Sequence, residues 1–186
     1  MMQIVGVDTG TKTIPEAEHA LREIMAGVPG PGALVACTHF IRDDEEPHVA
    51  LSLTGPGELD LLAAMPGACG VATAAGTTGP ARLAAGAEAA RVEAAARSGG
   101  RAVVFRGVDL AMGEVPVRAL LDGSLIDRVE VVGGPPAGPD ALLRTRDFVR
   151  PVWSRGALIL QVTAHPGGTL APFEVPDPTP CCADHA

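Results

Sequence analysis

Five of the last six residues read Cys181-Cys182-Ala183-Asp184-His185, and they bring three soft or borderline donors together in one short stretch. Thiolate sulfur and imidazole nitrogen are the usual ligands of zinc, and thiolates also suit copper in its reduced state. A closed tetrahedral site needs four such donors. Cys37 and His39 are the candidates to complete it, since two residues apart on a strand they point to the same face. A tail folded back over that face would gather Cys37, His39, Cys181, Cys182 and His185 around one ion, with Asp184 orienting the ring of His185. Adjacent cysteines converge on one ion less readily than a Cys-x-x-Cys knuckle does, because neighbouring side chains diverge. The competing reading is a C-terminal end that carries its thiols without using them.

Other constellations point to different chemistry. Arg106 and Asp109 follow an apolar stretch, at the kind of strand end where open sheets read polar ligands, and with His39 they form the candidate set for a small-molecule enzyme. Gly76-Thr77-Thr78-Gly79 precedes a helical segment, where free backbone N–H groups can hold an anion. It lacks the glycine and lysine spacing of a P-loop or a dinucleotide fingerprint, and its plainer role is a helix start with Thr77 or Thr78 as the cap. Asp43-Asp44-Glu45-Glu46 lacks the alternating ligands and glycine of an EF-hand loop, and reads as a charged hairpin tip. No Gly-x-Ser-x-Gly elbow occurs.

The elements that would position these residues follow from pattern. Residues 3–7 read as a short strand or arm. Thr13, Pro15 and Glu16 form a helix start, with apolar Ile14, Ala17, Leu21, Ile24 and Met25 at helical spacing. Residues 33–41 and 48–54 are two apolar runs around a charged link, a β-hairpin. Residues 58–65 read as a short helix, and the stretch from Cys69 as a short strand or buried connector. Residues 80–98, rich in Ala, Glu and Arg, predict the longest helix, stopped by Gly99-Gly100. Strands are predicted within 101–110 and 125–132, with short helices at 116–121 and 140–145. Residues 148–153 and 157–164 form a second hairpin around Ser154-Arg155-Gly156.

These elements predict a single α/β domain over residues 1–170, with a mixed sheet built from two hairpins and crossover helices, followed by an extended Pro-rich tail over 171–186. The chain has 186 residues and 47% hydrophobic content, enough for one real core. Its net charge of -8 speaks against nucleic acid and anionic membranes as partners. The N-terminus lacks the basic start and apolar centre of a signal peptide, so a cytoplasmic location with reduced thiols is expected. The expectation from sequence is thus a cytosolic zinc- or copper-binding α/β protein. The alternatives are a small-molecule enzyme, or an accessory subunit that pairs with itself or a larger protein.

Overall fold

The computed structural model describes residues 2–27, 34–42, 46–56 and 68–176. Among them are twelve strands and three α-helices, a mixed α/β arrangement divided into two compact units. The first unit comprises residues up to Arg106 together with Pro151–Ile159. The second comprises Gly107–Arg150 and the chain from Leu160.

In the first unit, β1 (Met2–Thr11) leads into α1 (Ile14–Ala26), then β2 (Val35–Ile41) and β3 (His48–Pro56). β4 (Gly70–Thr73) and β5 (Gly76–Thr78) precede α2 (Ala81–Ala96), and β6 (Arg101–Val104) follows it. β10 (Val152–Ser154) and the start of β11 (Ala157–Ala164) complete the unit. The strand order is β5-β4-β1-β3-β2-β6-β10-β11, antiparallel at every step. β3 lies between β1 and β2, so α1 is the crossover of a split β-α-β unit. The expected first hairpin is the β2–β3 pair, in the register His39↔Ala50 and Cys37↔Ser52.

The helix starts reflect local chemistry. Thr13 caps α1 through the backbone N–H of Glu16, whose carboxylate accepts in return from the N–H groups of Lys12 and Thr13. α2 starts differently from the sequence expectation. Its cap is Pro80, without a side-chain bond, because Thr77 and Thr78 pair instead with Ala72 and Val71 of β4. Its end differs too, since Arg97 itself takes the left-handed cap at φ 48° before the two glycines are reached.

The layers on the two faces of this sheet are unlike. On one face Val5, Val7, Val49, Leu51 and Leu53 pack with Ala17, Leu21 and Ile24 of α1 in an aliphatic core. The alternate residues of the same strands face α2, whose buried positions are Ala84, Gly86, Ala87 and Ala90. Helix and strands approach closely here. A Cβ on Gly6 would run into the carbonyl of Ala87, and one on Gly70 into the backbone of Leu83.

The second unit holds β7 (Glu114–Pro116), α3 (Val117–Gly123), β8 (Arg128–Val131), β9 (Leu142–Arg144), the end of β11 and β12 (Leu170–Pro172). β7 pairs antiparallel with β9, and β12 antiparallel with β11. The parallel pairing of β12 with β9 makes the sheet mixed. Thr145 latches this unit through its hydroxyl to the carbonyl of Gly113 at 3.0 Å.

One further element differs from its pattern. Residues 140–145 hold strand β9 rather than a helix, since Leu143 is drawn between β7 and β12 and is fully buried. The strand expected within 101–110 is β6, and a 3-10 turn follows at Val108–Leu110. The Arg155-Gly156 turn of the second hairpin holds φ of 50° and 84°, the mirror-image turn that suits strand twist. The helix expected at 58–65, most of the charged link and the closing pentapeptide lie outside the described residues.

Candidate functional site

The buried-histidine chemistry of the first unit gathers on the sheet face that α2 covers, whereas Glu18 of α1 holds buried Arg101 at 2.6 Å on the other. Two-residue periodicity puts the histidines under α2. In β3, Val49, Leu51 and Leu53 point one way, and His48, Ala50 and Ser52 the other. In β2, Cys37 and His39 share that second face, as their spacing predicts. In β1, Gly6 and Asp8 do the same.

His39 is 1% exposed and both of its ring nitrogens are engaged. Nδ1 lies 2.9 Å from Oε2 of Glu93 on α2, and Nε2 lies 2.8 Å from Oγ of Ser52 on β3. A carboxylate only accepts, so Nδ1–H donates to Glu93, and in the neutral ring Nε2 accepts the Ser52 hydroxyl proton. The hydrogen bond from His39 holds the Glu93 carboxyl below its ordinary value, against a smaller opposing effect of burial. Ser52 and the indole N–H of Trp153 also reach the sulfur of Cys37. Burial pushes the Cys37 thiol up to about 12, so it stays protonated at neutral pH. The result is one hydrogen-bonded chain through Trp153, Cys37, Ser52, His39 and Glu93. Its inner members are sealed, and only Glu93, with a side chain 44% exposed, meets solvent. Gly100 is required beside it, since a Cβ there would stand 2.5 Å from Cε1 of His39.

A second couple lies along the same face. His48 Nε2 is 2.7 Å from Asp8 Oδ2, and both side chains are buried. Nδ1 of His48 has the Glu46 carbonyl at 2.8 Å and the Arg82 guanidinium at 3.2 Å, so an acceptor and a donor are in reach. The other Asp8 oxygen accepts the N–H of Gly10 at 2.8 Å. Gly86 of α2 rests directly on this couple, and a Cβ there would collide with Oδ2 of Asp8.

The order Glu93–His39–Ser52 is that of an acid, a base and a nucleophile. Ser52 is nevertheless 1% exposed, lying in mid-sheet beneath a helix. The arrangement therefore satisfies buried polar groups and presents neither Ser52 nor His39 to a substrate.

The other sequence-derived candidates fall elsewhere. Arg106 and Asp109 are both exposed, the first after β6 and the second in the 3-10 turn. Cys69 is partly buried, and its thiol is raised by that burial and by nearby Asp8. Cys181, Cys182 and His185 lie outside the described residues. Among the described residues, no group of three or more His, Cys, Asp or Glu side chains is placed to hold a metal ion. None of the described helices is long and apolar enough to cross a membrane. A depression of about 740 Å³ opens to solvent between the end of β1 and the start of α1, lined by Thr9, Lys12, Glu16 and His19. Glu16 is spent there on the helix cap.

Sequence reasoning found Cys37 and His39 but missed Ser52, Glu93, Asp8 and His48. The alternation in β3 carried the signal for Ser52 and His48. Glu93 carried none, since an acid on an Ala-rich helix reads as a solvated face. Comparison with protein families, with curated proteins and with solved structures yields no match.

Proposed function

We propose that the chain binds a soft or borderline metal ion, zinc first and copper second, through Cys181, Cys182 and His185. The observation that carries this reading is the presence of three such donors within five residues. In this reading the protein is cytoplasmic, where the thiols stay reduced, and its negative charge leaves nucleic acid and membranes aside. Cys37 and His39 join the ligand set only by giving up the bonds to Ser52, Trp153 and Glu93. The sphere is more simply completed by solvent or by the tail of a second copy, which makes a homo-oligomer the natural partner state.

The test is metal analysis of protein purified without a histidine tag or chelator, beside the Cys181→Ser/Cys182→Ser double variant. The proposal expects stoichiometric metal in the first and its loss in the second. An empty wild-type protein overturns it.

A second reading, a small-molecule enzyme, is favoured by the in-line bonds Glu93–His39–Ser52 at 2.9 and 2.8 Å. It requires Ser52 to become accessible. Turnover of p-nitrophenyl acetate that disappears in Ser52→Ala, with the fold retained, would support it. A wild-type rate no faster than buffer would remove it.

A further inference from the structure

We infer that α2 is a detachable cover. It lifts from the sheet as a unit while the α1 layer stays folded, and it thereby bares the polar face that carries Ser52, His39, Asp8 and His48. The inference depends on neither functional reading above.

The two helices hold the sheet by different means. α1 inserts Leu21 and Ile24, both fully buried, into the aliphatic core. α2 inserts no side chain larger than alanine at its buried positions Ala84, Gly86, Ala87 and Ala90. Apolar stabilisation scales with the area removed from water, so α2 gains far less of it per turn than α1. Polar contacts at the two ends of α2 make up part of the difference. Near its start, Arg82 meets His48 and the Glu46 carboxylate, the latter at 3.1 Å. Near its end, Glu93 accepts from His39. Both contacts reach solvent-exposed groups, where water competes.

The surface beneath α2 is unusual for a buried interface because its polar groups are paired within the sheet. Asp8 bonds His48 across β1 and β3, and Ser52 bonds His39 across β3 and β2. Lifting α2 therefore leaves those pairs intact and costs mainly the contacts of the helix itself. The titratable groups facing α2 are Asp8 of β1, His39 of β2, His48 of β3, Glu46 just before β3, and Arg42 just after β2, which acts on Glu93. Glu88 and Arg91 of α2 pair with each other. Glycines flank the helix at both ends, with Gly79 at φ 101° and Gly100 at φ 102°.

Native-state hydrogen exchange of the full chain tests this directly. Amides of residues 84–96 are expected to show protection about tenfold or more below those of residues 17–26, with one shared urea dependence that is clearly above zero yet smaller than that of global unfolding. Glu93→Gln should lower protection in 84–96 about threefold further and leave 17–26 unchanged. Equal protection in the two helices, or exchange of α2 with the full urea dependence of global unfolding, overturns the inference. The wild-type urea dependence decides the matter alone if the variant does not fold.

Discussion

One sheet in the first unit meets two helices on opposite terms. The α1 face is built mainly of Val, Leu and Ile side chains that interlock, with one buried ion pair, Arg101 to Glu18 at 2.6 Å, beside them. The α2 face is built of glycine, alanine and hydrogen-bonded side chains, and it depends on backbone closeness and on proton positions. The same β-strands supply both faces by alternation. Both buried histidines thus lie on the side of the layer away from the aliphatic core, while the α1 side keeps the Arg101–Glu18 pair.

The contrast predicts effects of graded size. The largest falls on the α1 side, where Leu21→Ala should cost about 2–5 kcal/mol by loss of transfer energy and cavity formation. Urea unfolding followed by circular dichroism measures it, and a loss below about 1 kcal/mol would mean that α1 is not the principal anchor. Next comes a reversal of sign at Gly86→Ala. A helical interior glycine normally gains about 1 kcal/mol from that change. Here the added methyl collides with the Asp8 carboxylate, so a loss of about 1–3 kcal/mol is expected. A gain would show that α2 stands further from the sheet than described.

Ser52→Ala should cost about 1–2 kcal/mol, because it leaves His39 Nε2 buried without its donor. The side-chain NMR signals of His39 should move in the same variant. The smallest effect concerns pH. The folded-state value of Glu93 is depressed, so its bond to His39 contributes stability above the ordinary value of 4.5 and loses it as pH falls through the depressed one. Glu93→Gln should flatten that acid limb, by under about 1 kcal/mol because the carboxylate is half exposed to water. An unchanged acid limb would detach Glu93 from the seating of α2.

Much of this layering was legible in the chain. The alternation in β3, with Val49, Leu51 and Leu53 against His48, Ala50 and Ser52, announces one apolar and one polar face. The Thr13 capping box and the Ala-rich run placed both helices of the first unit to within a few residues. The partners across space were not legible. Nothing local tells Glu93 to meet His39, 54 positions away, or Asp8 to meet His48. The three-residue strands β5, β7, β9 and β12 were hidden for a related reason. Each is too short to show a period and exists because a neighbour offers it a ladder. Leu142 to Arg144 illustrates this, reading as a helical turn until strands on both sides claim its backbone.

Trp153 ends the polar chain on one side and carries the Arg97 guanidinium 4.9 Å from its ring centre on the other. The chain has one tryptophan and no tyrosine. Its ultraviolet emission is therefore the voice of a single indole, tied through one sulfur to Ser52 and flanked by the residue that terminates α2. Excitation near 295 nm turns that corner of the molecule into a built-in optical gauge, readable without a dye or label.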